Sequence, residues 1–269
     1  MIQHSKIWLL VAAALVGAAP QPALAWGNTG HATIANIAEL NLKPSVWTEI
    51  KTLLATDGVT HLSKVASWAD TQREATDPTH TVRIPIDGSA APEHACTGTA
   101  MCADQAVAYY SSVLSDRSQP AAVREIALKY IIHLVGDLHQ PLHGSDPIGY
   151  NYVTLNGAAP VMIHAIWDDT IIAAHGVASA TLAQELINNG VGVTLGGTPR
   201  VWAAESSVIA RDQVYATLPA CWSYKAPACP DTPVALRSDY ATVEYPIVAQ
   251  RLKQAGYRLA AVLNGLLGS

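Results

Sequence analysis

His133 and Asp137 stand four residues apart near the end of a long apolar stretch, and Pro141 and His143 follow. Residues four apart on a helix share a face. Proline cannot continue a helix, so Pro141 stops this one and lets His143 turn back toward the same place. His164 and Asp168 repeat the four-residue spacing. Imidazole and carboxylate are the usual zinc ligands outside cysteine sites. One such pair is an ordinary hydrogen bond on a helix surface. Two pairs with His143 point to a metal site on a helical scaffold.

Further candidates lie upstream: His31, His80, and Asp70 with Arg73 three residues on along an expected helix. The start of the chain bears on the same site. His4 and Lys6 precede an apolar run over 7–19, and Ala23-Leu24-Ala25 closes the segment. That is the layout of a secretory signal, and the run is too short for a membrane span. Cleavage after Ala25 is expected, leaving 26–269 as one domain that begins at Trp26. A free α-amine and the carbonyl of the same residue can chelate one ion, and a cation strips the amine's proton readily. Trp26 is therefore either a ligand or a buried anchor with a solvated amine.

Charged residues make up only 14% of the chain and the formal net charge is -5. This excludes a binder that tracks phosphates with lysine and arginine alone. It leaves room for a nucleic-acid enzyme whose positive charge is carried by cations. Secretion makes disulfides the default, and the cysteines fall into two local pairs, Cys96–Cys102 and Cys221–Cys229. Neither pair has the spacing of a cysteine zinc site.

Apolar residues recur at helical spacing over 29–40, 44–54, 60–74, 105–114, 120–138, 181–188, 203–218 and 245–267. Asn28 is a candidate N-cap for the first. The stretch 149–161, with Asn156-Gly157, suggests a short hairpin at most. Residues 77–103 read as a long loop stapled by a disulfide. The fold expected is mainly α: one helical domain with its ligands in a cleft. His61, His94, His139 and His175 read as surface or hydrogen-bonding histidines, with His139 placed to support a neighbouring ligand.

Several segments together resemble the S-one/P-one (S1/P1) family of zinc-dependent, single-strand-specific nucleases. They are Trp26-Gly-x-x-Gly-His31, Ser67-Trp68-Ala69-Asp70-x-x-Arg73, His133-x3-Asp137-x-x-Gln140-Pro141-Leu142-His143 and His164-x-x-Trp167-Asp168. The resemblance implies three zinc ions. Asp70, His80, His133 and Asp137 would hold one. His143, His164 and Asp168 would hold a second. Trp26, His31 and a bridging Asp137 would hold the third. Asp70 would orient the attacking water and Arg73 would steady the phosphate. Asn151 would lie on the phosphate side, although the family's Gly-Gly before it is here Gly149-Tyr150. After its loop histidine the family often has an aromatic that stacks a base; here Thr81, Val82 and Arg83 follow His80, so Thr81 and Arg83 stand where the base would be met.

The resemblance also implies the substrates, single-stranded DNA and RNA and nucleotides, and the products, 5′-phosphates, with 3′-nucleotidase activity beside them. A secreted or periplasmic monomer without membrane attachment is expected. The nearest rival enzyme is a zinc-dependent phospholipase C, which tends to use glutamate where this chain has Asp168. A secreted zinc-binding protein without turnover is a third reading, but it gives Arg73 no purpose beside Asp70.

Overall fold

The structure, a computed structural model, describes residues 26–72, 74–222 and 232–268. At its centre is helix α4 (Ala121–Asp137). Ile131, Ile132, Leu134 and Val135 follow one another on this helix and all are buried. A stretch of helix that is apolar around its whole circumference must be covered on every side, as the second half of α4 is. Helix α3 (Ala103–Ser115) packs along one flank, and α1 (Asn28–Leu40) and α9 (Tyr240–Leu267) cover others. Gly256 of α9 lets α1 approach closely: a Cβ there would lie 2.5 Å from Cβ of Ile37. Helices α2 (Pro44–Leu54), α5 (Ile163–Ala165), α6 (Ile171–His175), α7 (Ser179–Asn188) and α8 (Pro199–Ile209) complete the helical set among the described residues.

The mainly α expectation holds, with local corrections. Gly27, not Asn28, is the N-cap of α1. In place of the helix expected over 60–74, the described residues there form two 3-10 turns, Leu62–Lys64 and Trp68–Thr71. An α-helix would pair the Ala66 carbonyl with the Asp70 amide. Instead the Asp70 amide bonds Ser67, and the Ala66 carbonyl accepts from His133 Nδ1. The turn that carries Asp70 ends at Thr71, and Arg73, expected on the same helical face, lies outside the described residues.

The expected helix over 203–218 is α8 at its start and then widens into a π-turn, Ala210–Val214, and a 3-10 turn, Tyr215–Thr217. Its true beginning is earlier: Thr198 caps Val201 and Pro199 opens the first turn. Helix α9 likewise begins at Tyr240 and carries Pro246 inside. Buried Tyr240 and Glu244 anchor that extra turn.

Two small sheets frame the site. Strand β1 (Ile84–Pro85) pairs in parallel with β2 (Ser145–Asp146), tying the segment after His80 to the segment after His143. Strand β3 (Tyr152–Thr154) pairs with β4 (Val161–Met162) as the expected hairpin, with Asn156 and Gly157 both at positive φ. Strand β5 (Val234–Ala235) joins β3 in parallel from far along the chain, which no local pattern announced. The Cys96–Cys102 disulfide closes the long loop. Cys221 is disulfide-bonded, and Cys229, its expected partner, lies outside the described residues. No helix among the described residues is long and apolar enough to cross a membrane.

Candidate metal centre

His133 and Asp137 end α4 on one face, with His133 Nε2 3.2 Å from Asp137 Oδ2. The 3-10 turn Trp68–Thr71 brings Asp70 Oδ1 to 3.5 Å from His133 Nε2. The loop before β1 brings His80 Nδ1 to 3.1 Å from His133 Nε2, 3.4 Å from Asp137 Oδ2 and 3.6 Å from Asp70 Oδ1. A tetrahedral zinc ion with ligands at about 2.0–2.1 Å requires ligand atoms roughly 3.3 Å apart. These five distances lie near that spacing, and Asp70, His80 and His133 form one such group while His133, Asp137 and His31 form another.

A second group follows from Pro141. It stops the central helix and opens the 3-10 turn Pro141–His143, which turns His143 back. The His143 and His164 Nε2 atoms are 2.9 Å apart, and Asp168 Oδ2 is 3.5 Å from His164 Nε2. Between His164 and Asp168 the chain passes from α5 into a π-turn, Ile166–Thr170, and still keeps both side chains on one face. Gln140 Nε2 donates to Asp168 Oδ1 at 2.5 Å and orients that carboxylate.

His31 supplies a third corner. Its Nε2 lies 3.4 Å from Asp137 Oδ1, and its ring stacks on His133 with centroids 4.0 Å apart. Gly136 makes this approach possible, because a Cβ there would come within 2.9 Å of His31 Nδ1. Trp26 is buried beside it: its indole N–H donates to the Gly136 carbonyl, and the Gly27 amide donates to the Asp168 carbonyl. Trp26 and Gly27 are thus fastened between Gly136 and Asp168, through the indole and the main chain respectively. The buried-anchor reading of Trp26 holds for the side chain.

The donor set fits a cation. Asp137 Oδ1 and Oδ2, Asp168 Oδ2 and both ring nitrogens of His31 are buried with no hydrogen-bond partner among the described residues. Leaving such groups unmatched costs free energy unless something else satisfies them. The ring tautomers are also set. Nδ1 of His133 donates to Ala66, that of His143 to His80 and that of His164 to Ile148, all backbone carbonyls. In the neutral ring this leaves Nε2 bare and aimed inward, the arrangement that orients ligating histidines.

Burial, with neighbouring histidines adding to it, pushes His31 down to about 4 and His164 to about 3. Burial likewise pushes His80 down to about 3, against the pull of Asp137. These rings stay neutral at physiological pH, the form that binds metal. Burial also opposes charge on His133, but Asp137 and Asp70 outweigh it and hold that ring up to about 9. Burial raises Asp168 well above the usual carboxylate range, with Gln140 opposing and the other aspartates adding to the rise. Neighbouring carboxylates thus favour a proton on His133 and burial favours one on Asp168, and a bound cation would oppose both.

Residues 26–268 match the family model described as S1/P1 Nuclease. The chain belongs to the S1/P1 nuclease family. It is 28% identical to Nuclease S1 of Aspergillus oryzae, over 95% of this chain and 96% of that protein. It is 29% identical to Endonuclease 2 of Arabidopsis thaliana, over 97% and 95%. Nuclease P1 of Penicillium citrinum is 29% identical over 61% of this chain and 66% of its own. As an S1/P1 nuclease the chain is a phosphodiester hydrolase of a metal-dependent family.

Of the remaining expected residues, those described lie on the segments beside the cluster or away from it. His80, with 19% of its side chain exposed, is the most open of the His and Asp ligand candidates. Thr81 is half-buried, Val82 is fully buried, and its amide bonds the His143 carbonyl. Arg83 forms an ion pair with Asp146 at 2.8 Å. Asn151 is half-buried, and its carbonyl accepts from the Ile163 amide. His61 and His175 pair with surface glutamates, and His94 packs by the disulfide. His139 faces away from the cluster: Arg258 donates to its Nε2. Sequence reasoning missed the three backbone carbonyls that orient the histidines, because main-chain acceptors leave no mark in side-chain patterns.

Proposed function

We propose that this nuclease cleaves single-stranded DNA and RNA to 5′-phosphate products at a centre of three zinc ions, with 3′-nucleotidase activity at the same site. The observation that carries this reading is the donor geometry: two groups at tetrahedral spacing, joined through buried Asp137 to His31. Asp70, His80, His133 and Asp137 would hold the first ion, and His143, His164 and Asp168 the second. His31, Asp137 and the amine and carbonyl of Trp26 would hold the third. When bound, such ions polarise a phosphoryl oxygen and bring water toward ionisation near neutral pH.

The chain's own residues do the rest. Asp70, beside His80, would accept a proton from an attacking water and fix its direction. Asp137, buried between the donor groups, keeps them at fixed separation. Arg73 and Asn151 are assigned to the phosphate, and Thr81 and Arg83 to the outer edge of the substrate. Buried ligands with His80 the most exposed of them favour a strand that can bend inward, which a stacked duplex resists.

Removal of residues 1–25 belongs to this reading, since a free Trp26 amine is needed for the third ion. Their signal-like composition and the Cys96–Cys102 disulfide support a secreted or periplasmic location. The test is to assay the zinc-loaded protein on single-stranded DNA, duplex DNA and phosphatidylcholine. Preferential cleavage of the single strand to 5′-phosphate ends is expected. Hydrolysis of the lipid alone would favour the phospholipase, and zinc retention without any turnover a zinc store.

A further inference from the structure

Three tyrosines are largely exposed among the described residues: Tyr109, Tyr150 and Tyr152. Tyr109 rests edge-on against Tyr110. Tyr150, the most exposed at 60%, lies over a ligand of the cluster instead. Its ring centroid is 6.3 Å from that of His164, and the two planes are 29° apart. Most of the residue is thus left to solvent beside that histidine.

The placement is held from both sides. The Ile148 carbonyl accepts from His164 Nδ1, the Gly149 carbonyl from the His164 amide, and the Asn151 carbonyl from the Ile163 amide. Gly149 has φ +80, and a Cβ there would meet Leu142 Cδ1 at 2.8 Å. Glycine alone lets the chain pass so close across the site. The backbone on either side of Tyr150 is thus pinned while its side chain is left open. An aromatic ring kept in water on a fixed frame is a preorganised surface.

We infer that Tyr150 is a substrate-binding residue whose open face stacks the base of a nucleotide adjoining the phosphodiester at the cluster. Bases stack on aromatic side chains in single strands whatever their identity, since every base has a π-face. The segment after His80 offers no competing ring, because Val82 is buried and Arg83 is tied to Asp146. Trp68, near Asp70, is half-buried with Tyr130 against its edge and Lys129 over its face. Stacking at Tyr150 would favour unpaired strands, because in a duplex both faces of each base are already taken. This inference rests on the nuclease reading above.

The test compares binding of thymidine 5′-monophosphate and of 2-deoxyribose 5-phosphate, which lacks the base, to the zinc-loaded protein by calorimetry. Tyr150→Ala is expected to weaken the nucleotide about tenfold and leave the sugar phosphate unchanged. Tyr150→Phe should keep the wild-type preference, and Tyr109→Ala should change neither ligand. On a single-stranded oligonucleotide, Tyr150→Ala should raise KM about tenfold with kcat within about twofold. Equal weakening of both ligands, or no change in either, would overturn the stacking role. Failure of the nuclease reading is seen separately, as wild-type protein that cleaves no strand.

Discussion

The Nε2 atoms of His143 and His164 face one another at 2.9 Å, and each ring spends its Nδ1 hydrogen on a backbone carbonyl. Burial lowers the pKa of both rings, so at neutral pH two bare lone pairs point at the same spot. Such a contact repels unless a cation lies within reach of both. His164→Ala should therefore lower the zinc content by about one ion per chain and reduce cleavage by at least about 100-fold. Elemental analysis of the purified variant, set beside its turnover rate, checks both numbers.

Asp70→Asn keeps the shape of the side chain and removes its charge. Bound zinc should fall by one ion at most, while kcat falls by a factor of about 100 or more and KM changes little. His133→Ala should act more broadly, since that ring touches Asp70, His80, Asp137 and His31. Full zinc content together with full activity in either variant would contradict the roles given to these residues.

Gly136 carries no chemistry of its own, yet a methyl group there would press on His31. Gly136→Ala should push His31 off the His133 ring and disturb the carbonyl that Trp26 holds. Overpacking of this kind costs about 1–3 kcal/mol. Its effect on zinc content should exceed that of Gly256→Ala, which crowds Ile37 on the far stretch of α1. Denaturant melts and zinc analysis of both variants separate loss of the site from loss of the fold.

A buried charge network lies away from the cluster. Arg258 is fully buried and Arg251 nearly so, and both bond Glu205, whose side chain is 31% exposed. Burial works against the charged Glu205, but the two guanidinium groups hold its pKa below the usual value. A depressed carboxylate stabilises the fold at pH above its unfolded pKa of about 4.3, and that stability is lost as pH falls through the lower folded pKa. Glu205→Gln should thus cost about 3 kcal/mol near pH 7 and progressively less below about pH 4. Melts of both proteins in chelator across that range keep metal release out of the comparison.

Much of this was legible in the sequence where spacing along a single element decides geometry. His133 with Asp137, and His164 with Asp168, were found by their four-residue separation. Pro44–Leu54 was read at both ends, because proline opens it and its apolar face is regular. The stretch 60–74 was misread, because its apolar spacing is helical while its Ala66 carbonyl is taken by a histidine far along the chain. The β3–β5 pairing was invisible for a similar reason, being set by tertiary packing. Tyr150 showed in the sequence only as a departure from Gly-Gly; its position over His164 needed the fold.

The most direct test is to strip the protein with a chelator, add zinc back stepwise and follow cleavage of a single-stranded oligonucleotide. A centre built from these donors predicts no cleavage without metal, recovery that levels off near three ions per chain, and 5′-phosphate ends on the products. Cleavage that persists in chelator, or that zinc fails to restore to a correctly folded chain, would contradict it.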